Sequence, residues 1–244
     1  MTLDEKVERS KSQERIDFSK ISCLNQTDHL VKVNSSDKIR VEPVWEMNGD
    51  FEGRMYADYI TDHHEYDGIY VRSNVLKRLQ AAADSLSPQY QLVIHAGHRP
   101  IAVQKRLLRG VMDDYRKEHP AASDDEALMH ARMFVSDPDI KLPPHCCGAA
   151  IDVELYDLNL KSHVDFGSPI NMDDEISYLH AQNISQTGKD NRLLLLRTML
   201  SAGFSSYYAE WWHFSYGDEI WAWFYRESSC LYGLAEPDLQ PQAK

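Results

Sequence analysis

The sequence predicts an α+β fold in which a mainly antiparallel central sheet is flanked by helices. Segments with the 3.6-residue periodicity of amphipathic helices alternate along the chain with segments that have the alternating or aromatic pattern of strands. The two kinds of segment come in mixed order rather than as a regular strand–helix repeat. That order favours helices packed against a mainly antiparallel sheet.

The first predicted elements occupy the stretch before residue 120. Residues 73–86 place their apolar side chains on one helical face, and Ser73 is a suitable N-cap. Residues 89–97, QYQLVIHAG, have the apolar run of a buried strand that ends at Gly97. A second helix then begins with Pro100 in its first turn, where a missing N–H costs nothing.

Four further elements are predicted: a helix at 123–135, a strand at 148–157, a helix at 190–203 and a strand at 209–218. Ser123 and Glu126 have the spacing of a capping box at the start of the first of these helices. Asp190 and Gly203 mark the start and the end of the other helix. The final strand is predicted from its aromatic residues.

Length and charge restrict the organisation and the partners of the chain. We predict a polar N-terminal arm at 1–40, a single domain at 41–234 and a flexible tail at 235–244. The formal net charge of −12 argues against nucleic acid and anionic membranes as partners, because both require a basic surface. The charged N-terminus has no apolar core of a signal peptide, so we expect a cytoplasmic protein. The sequence leaves the oligomeric state open.

The stretch PPHCCGAAIDVE, residues 143–154, raises the question of a metal site. One interpretation is a sulfur-rich site that uses His145 together with Cys146 and Cys147. The alternative is that His145 and Asp152 bind the metal and the cysteines are bystanders. Four cysteines do not form a disulfide framework in a chain of 244 residues, so the pair is not explained in that way.

A second motif, EWWHF, completes a possible ligand set. Hydrolytic zinc sites take three protein ligands from His, Asp or Glu and leave one position for water. His145, Asp152 and His213 form such a set, with Glu210 as the general base that takes a proton from the attacking water. Zinc fits this set best, although other divalent ions also bind two histidines and a carboxylate.

The spacing of Glu210 and His213 gives a structural prediction. Residues three apart on a regular strand point to opposite faces of the sheet. Both side chains therefore reach one site only if the strand bends, bulges or ends there. Without a metal, EWWHF is explained as an aromatic strand buried in the core.

Arg99, in HAGHRP, is the remaining candidate for chemistry. It lies where a predicted strand ends and a helix begins, which is a common position for functional side chains. Its guanidinium could stabilise the oxyanion of a tetrahedral intermediate. Taken alone, Arg99 is better explained as a surface residue in an ion pair.

Together these motifs resemble a known family. HCCGAAID resembles the H-x-x-G-x-A-x-D core of the zinc D,D-peptidases, and EWWHF resembles their E-x-W-H signature. The double tryptophan resembles the D-alanyl-D-alanine dipeptidase branch of vancomycin-resistance type, and HRP resembles its Y-R-P turn. Further segments at 49–53, 166–175 and 191–204 match in the same order, so the resemblance covers roughly residues 40–225.

The resemblance implies a role for each candidate residue. It implies one zinc ion per chain bound by His145, Asp152 and His213, with Glu210 as the catalytic base and Arg99 as the residue that stabilises the transition state. The implied reaction is hydrolysis of a small dipeptide, D-Ala-D-Ala or a related dipeptide that contains a D-amino acid. The implied fold is that of the zinc D,D-peptidases.

The sequence departs from the family pattern where the substrate is recognised. Pro143 stands where the family usually has serine, so a hydroxyl is lost and no N–H replaces it. Asn171, the candidate substrate-binding residue, stands where the family has the carboxylate associated with the free ammonium of the substrate, and His98 replaces a tyrosine. A neutral amide weakens a charge-assisted bond. We therefore expect an active peptidase with an altered dipeptide preference.

Two alternative functions stay open at this point. A D,D- or L,D-carboxypeptidase or endopeptidase on cell-wall peptides needs an open cleft, whereas a dipeptidase needs a closed pocket. The segment at 104–140 is long enough to close a pocket. The other alternative is a peptide-binding protein that keeps zinc for structure, although such a protein has no need of Glu210.

Overall fold

The computed structural model describes residues 1–14, 17–44, 67–172 and 174–235. The helices of these ranges are α1 (Leu3–Arg9), α2 (Ser73–Ser85), α3 (Ile101–Glu118), α4 (Asp124–Phe134), α5 (Gln186–Ser201) and α6 (Glu219–Tyr225). The strands are β1 (Ser22–Cys23), β2 (Leu30–Lys32), β3 (Ile39–Val41), β4 (Tyr70–Arg72), β5 (Tyr90–Ala96), β6 (Ala150–Asp157), β7 (Ser162–His163), β8 (Ser205–Tyr207), β9 (Glu210–Ser215) and β10 (Ser229–Cys230).

A six-stranded sheet organises the domain. Its strand order is β3-β5-β6-β9-β8, and β7 pairs with the outer part of β6. Strand β3 lies parallel to β5, because the chain passes through β4 and α2 before it returns to the sheet. The predicted combination of helices and a sheet is therefore confirmed, but the sheet is mixed where a mainly antiparallel one was predicted.

The two faces of β6 have different roles. Ile151, Val153 and Leu155 alternate along the strand and are fully buried in the main hydrophobic core, which also contains residues of α2 and α5. Because side chains alternate across a strand, Asp152 and Glu154 lie on the opposite face. One face of β6 therefore packs in the hydrophobic core, and the other face presents polar side chains.

Helix α2 begins as the periodicity predicts, but its cap differs. Ser73 was predicted to be the N-cap, whereas the structure has Arg72 at that position and Ser73 as the first helical residue. The cap is supplied from a distant segment, since the Asp28 carboxylate accepts from the Ser73 hydroxyl at 2.6 Å and from the Asn74 N–H at 3.1 Å. A cap from another segment has no signal in the local sequence.

The starts of helices α3 and α4 test two further predictions. Pro100 is the N-cap of α3 rather than a residue of its first turn. At α4 the predicted capping box is confirmed, because Ser123 and Glu126 exchange side-chain and backbone hydrogen bonds. The pattern of Ser followed three residues later by Glu was a sufficient local signal.

Helix α5 begins four residues before the predicted start. Ser185, not Asp190, is its N-cap and accepts from the Gly188 N–H at 2.9 Å. Asp190 lies inside the helix and accepts from the Gln186 side chain. Gly203 follows the helix end with φ +89°, so the predicted stop is confirmed by a backbone conformation that glycine adopts readily.

The first forty residues contain ordered elements that the sequence did not predict. Helix α1, strand β2 and most of β3 fall before the predicted domain boundary, and Val33 and Ile39 belong to the core. The division into arm, domain and tail stays a prediction. Apart from Ala235, the predicted tail lies outside the described residues, as does the family-like segment at 49–53.

None of the helices in the described part of the chain combines the length and the apolar character that crossing a lipid bilayer requires.

Candidate metal centre

His145 lies on a short 3-10 turn, Pro144–Cys147, that is defined at both ends. Pro143 precedes it with φ −66°, and Gly148 ends it in the left-handed region at φ +69°. The imidazole Nδ1 is 2.8 Å from the Gly97 carbonyl oxygen, which accepts its proton. That bond fixes the tautomer and leaves Nε2 free of its proton, so that it can bind a metal.

Asp152 and His213 meet across an antiparallel strand pair. They are directly opposite each other in the register of β6 and β9, and His213 Nδ1 is 3.1 Å from Asp152 Oδ1. The second carboxylate oxygen, Oδ2, is 3.4 Å from His145 Nε2. The sheet register and the 3-10 turn therefore bring all three predicted ligands together.

The three residues are almost fully buried and interact electrostatically. Burial alone would raise the pKa of Asp152, but the adjacent His145 and His213 outweigh it and hold the pKa well below its usual range. Burial lowers the pKa of His213, whereas its hydrogen bond to Asp152 and the charge of that carboxylate raise the pKa further, so that the net shift is upward. The cluster thus favours positive charge at its centre.

Glu210 reaches the same place because strand β9 is irregular. Ser206 pairs with Phe214, but the next residue, Tyr207, pairs with Glu210, so that β9 carries extra residues between these pairs. Glu210 Oε2 lies 3.6 Å from His213 Nδ1. The predicted irregularity is confirmed, and it places the carboxylate beside the ligand set with 40% of its side chain exposed.

The donor set fits a zinc ion. His145, Asp152 and His213, called here the metal cluster, each offer one ligand atom, and these atoms lie within 4.8 Å of one another. A tetrahedral zinc site with bonds of about 2.0–2.1 Å has edges of roughly 3.3 Å. His213 Nδ1 lies 3.1 Å from Asp152 Oδ1 and His145 Nε2 lies 3.4 Å from Asp152 Oδ2, so each imidazole is already close to one carboxylate oxygen, at a spacing similar to such an edge.

The two cysteines of the HCC stretch are not part of this cluster. Burial raises the pKa of Cys146 to about 12 and the pKa of Cys147 well above its ordinary value. The Cys147 thiol donates to the Pro144 carbonyl oxygen at 2.9 Å. This geometry supports the interpretation in which His145 and Asp152 bind the metal and the cysteines are bystanders.

Arg99 is anchored by its backbone to the turn Pro144–Cys147, which carries His145 and is called here the metal-binding turn. Its N–H donates to the His145 carbonyl oxygen at 3.1 Å, and its guanidinium donates to Gln104 Oε1 at 2.9 Å. Asn171 lies exposed in a turn with φ +57°. The roles that the resemblance gives to Arg99 and Asn171 stay predictions.

Sequence reasoning missed Asp218, which lies close behind the cluster. It is buried, caps α6 through the Trp221 N–H, and accepts from the Ser215 hydroxyl at 2.8 Å. Within the described residues, Asp218 Oδ2 and His213 Nε2 are buried atoms without a hydrogen-bond partner. Asp218 precedes the apolar run of α6, which is a recognisable N-cap signal, but its effect on His213 follows only from the fold.

The turn of His145 is also held from outside the metal cluster. The buried Arg72 guanidinium donates to the carbonyl oxygens of Cys147, at 2.8 Å, and of Gly233, at 3.1 Å, and it also donates to the carbonyl of Asp28. We call Arg72, Asp28 and these carbonyls the Arg72 junction. It joins an N-terminal segment, a C-terminal segment and the metal-binding turn.

Comparisons with known proteins give a consistent result. A family model described as D-Ala-D-Ala dipeptidase matches residues 56–230. A D-alanyl-D-alanine dipeptidase from Synechocystis sp. is 31% identical over 202 residues, which cover 70% of this chain and 79% of that protein. A D-alanyl-D-alanine dipeptidase from Enterococcus faecalis is 31% identical over 147 residues, which cover 59% of this chain and 70% of that protein.

Among solved structures, the chain is similar to the vancomycin-resistance D,D-pentapeptidase VanY in complex with Zn(II). The TM-score is 0.38 and the identity 18%, and the match covers 67% of this chain and 83% of that one.

Proposed function

The chain belongs to the D-Ala-D-Ala dipeptidase family, and from this premise we propose how its residues carry out the reaction. It is a zinc metallopeptidase that hydrolyses a small dipeptide. The observation that carries the proposal is the metal cluster of His145, Asp152 and His213 with the Glu210 carboxylate 3.6 Å from one of its ligand atoms. The cytoplasmic location expected from the sequence stays a prediction.

Each residue of the metal cluster has a separate task in the proposal. His145 would bind the ion through Nε2, since its Nδ1 proton is held by the Gly97 carbonyl, and His213 would bind it through Nδ1, the atom that faces Asp152. Asp152 supplies the negative charge that offsets a divalent cation. When bound, zinc acts as a Lewis acid that polarises the peptide carbonyl and makes a water molecule more acidic.

We assign proton transfer to Glu210. Its carboxylate is partly exposed, so it reaches both the cluster and a substrate that enters from solvent. It takes the proton of the attacking water and delivers it to the amine that leaves when the peptide bond breaks. A non-catalytic binding protein would gain nothing from a carboxylate held at this position by an irregular strand.

Arg99 is proposed to stabilise the negative charge on the tetrahedral intermediate. The hydrogen bond from its backbone to the His145 carbonyl fixes the start of its side chain relative to the metal-binding turn. Its bond to Gln104 orients the guanidinium. A guanidinium in a fixed orientation stabilises an oxyanion better than one that has to be ordered during the reaction.

Substrate preference is the part of the function that we expect to differ from relatives. Pro143 caps the metal-binding turn and offers neither a hydroxyl nor an N–H to a substrate. Asn171 is neutral where the family has a carboxylate. A free ammonium group therefore loses a charge-assisted partner, which weakens the binding of every dipeptide, and the hydroxyl missing at Pro143 changes which dipeptide is preferred.

A panel of D,D-, L,D- and D,L-dipeptides, assayed with the zinc-loaded protein, tests this proposal. We expect hydrolysis of several members and a D-Ala-D-Ala turnover that rises about tenfold in Asn171→Asp, because the carboxylate restores the charge-assisted bond. A strong preference of the wild type for D-Ala-D-Ala would contradict the altered preference. No hydrolysis of any peptide, with zinc bound, would instead support the binding protein.

A further inference from the structure

The N-terminal and C-terminal segments pair beside the metal-binding turn through strands β1 and β10. These strands lie parallel, with Ser22 opposite Ser229 and Cys23 opposite Cys230. The Leu24 N–H donates to the Cys230 carbonyl oxygen at 3.0 Å, and the hydroxyls of the two serines are 2.6 Å apart. The two segments are therefore held in a defined register.

That register places two thiols side by side. Neighbouring strands are about 4.8 Å apart, and disulfides usually join Cα atoms that are about 4.4–6.8 Å apart. Side chains of directly opposite residues project from the same face of a strand pair. The Cys23 thiol donates to Asn25 Oδ1 at 3.3 Å and the Cys230 thiol to the Tyr232 carbonyl oxygen at 3.8 Å, so each is held only by a weak bond that a covalent link can replace.

The surroundings of the pair allow a reagent to reach it. Cys23 is exposed, whereas Cys230 is buried. Both line a cavity of about 210 Å³, whose walls also include Lys141 and Glu219. Cys147 borders the same cavity, but its thiol donates to the Pro144 carbonyl and is fully buried, so it is not the natural partner of Cys23.

We propose that Cys23 and Cys230 form a reversible disulfide that fastens the N-terminal segment to the C-terminal segment. The oxidant is a small-molecule disulfide such as oxidised glutathione. The Cys23 thiolate attacks one sulfur of the oxidant, forms a mixed disulfide and releases one reduced thiol. Cys230 then attacks the Cys23 sulfur as its own proton is lost to solvent, and a second reduced thiol leaves. Two protein thiols are oxidised and one oxidant disulfide is reduced.

The order of these steps follows from the environment of each thiol. Burial raises the pKa of Cys230 to about 12. Attack requires the thiolate, so the exposed Cys23 reacts with the oxidant first and Cys230 resolves the mixed disulfide. In a reducing compartment the pair stays reduced, and it closes under oxidising conditions.

The disulfide would strengthen an existing junction rather than alter the chemistry. It closes a loop of roughly 200 residues, and cross-links of long loops restrict the unfolded chain most. The segments that it joins are those that Arg72 already binds through the carbonyls of Asp28 and Gly233. We therefore expect a higher thermal stability and little change in turnover.

The test compares wild type with Cys23→Ser and Cys230→Ser after equilibration in oxidised and in reduced glutathione. Thiol titration in denaturant should fall from four thiols to two in oxidised wild type. Non-reducing peptide mapping should identify the Cys23–Cys230 link. The Tm of oxidised wild type should exceed that of the reduced form by roughly 5 °C, and neither serine variant should show the increase.

Two results would overturn the proposal. One is that wild type retains four thiols in excess oxidised glutathione. The other is a disulfide that joins a different pair, such as Cys146 and Cys147. Thiol content, peptide mapping and Tm do not depend on peptide hydrolysis. These measurements therefore test the disulfide separately from the proposed catalytic function.

Discussion

The metal cluster and the Arg72 junction are both buried and polar, but their hydrogen bonding differs. In the Arg72 junction the guanidinium donates to three backbone carbonyls. The Asp28 carboxylate there accepts from Ser73, Asn74 and Tyr232. In the metal cluster, by contrast, imidazole nitrogens and carboxylate oxygens converge on one point.

The difference indicates what each cluster is for. A polar cluster in which every donor has an acceptor stabilises the fold without a ligand. A cluster of converging lone pairs is unfavourable until a cation or protons occupy its centre. The two meet in the turn Pro144–Cys147, where His145 belongs to the metal cluster and the Cys147 carbonyl accepts from Arg72. Variants should therefore separate a catalytic effect from an effect on stability.

The largest expected effect is the loss of turnover in Glu210→Gln. The amide keeps the size of the side chain but cannot take a proton from water, so kcat should fall about 10³-fold. Zinc content, measured by atomic absorption, should stay at one ion per chain, because Glu210 is not one of the three proposed ligands.

Glu227→Gln is the matched control, since Glu227 is exposed and lies outside the metal cluster. It should keep full turnover. If Glu210→Gln retained more than a tenth of the activity, or lost its zinc, the role of Glu210 as proton carrier would be wrong.

The next largest effect is on stability, in Arg72→Met. Methionine fills part of the space but leaves the carbonyls of Asp28, Cys147 and Gly233 without their donor. Buried carbonyls without partners should lower the free energy of unfolding by about 3 kcal/mol in total. Urea denaturation of the zinc-loaded protein measures this loss.

Arg109→Met provides the comparison, because Arg109 is exposed on α3. It should change the free energy of unfolding by less than about 0.5 kcal/mol. Equal stability of the two variants would contradict the structural role of the Arg72 junction.

A smaller effect with a defined pH dependence is expected for Asp28→Asn. Burial raises the pKa of Asp28, but the hydrogen bonds from Ser73, Asn74 and Tyr232 and the charge of Arg72 outweigh it and lower the pKa. A lowered carboxyl pKa gives stability that is fully present above the unfolded value of about 3.9 and is lost as the pH falls through the folded value.

At pH 7 the variant should therefore be about 2 kcal/mol less stable than wild type, as hydrogen bonds to a charged group are lost. As the pH falls from about 4 through the folded value, the difference should narrow, because the wild type then also takes up a proton at Asp28. Asp37→Asn is the control, because Asp37 is exposed. It should leave the free energy of unfolding unchanged at pH 7 and at pH 3. A constant difference from pH 7 to pH 3 would show that the charge of Asp28 does not stabilise the fold.

The comparison also shows what the sequence could and could not predict. The sequence predicted that His145, Asp152, His213 and Glu210 share one site, because residue type and spacing carry chemical information, and the structure brings these four side chains together. The irregular strand followed from the geometry of residues three apart. The Arg72 junction was not found. The partners of Arg72 are backbone carbonyls far away in the chain. Every residue has a backbone carbonyl, so the residue types of the sequence do not show which ones accept a hydrogen bond.

The same reason explains the errors at helix ends. At α4 the capping residues are local, and the prediction is confirmed. At α2 the cap comes from Asp28, more than forty positions earlier, so a local rule chose Ser73 instead. The parallel pairing of β3 with β5 is likewise a property of the chain path rather than of either segment.

The smallest expected effect concerns Asp218. This residue combines two roles, because it caps helix α6 and its charge acts on His213. Asn at this position keeps Oδ1 as the acceptor for Trp221 and Ser215, so α6 should stay capped and the Tm should change little. The negative charge behind His213 is lost, however, and zinc affinity should fall about tenfold, in the range that outer partners of metal ligands contribute.

Competition with a chelator measures the affinity, and Asp174→Asn, an exposed capping aspartate, is the control. Equal zinc affinities in the two variants would mean that Asp218 only caps the helix. A weaker affinity in Asp218→Asn alone would extend the metal cluster by one residue that its sequence motif does not contain.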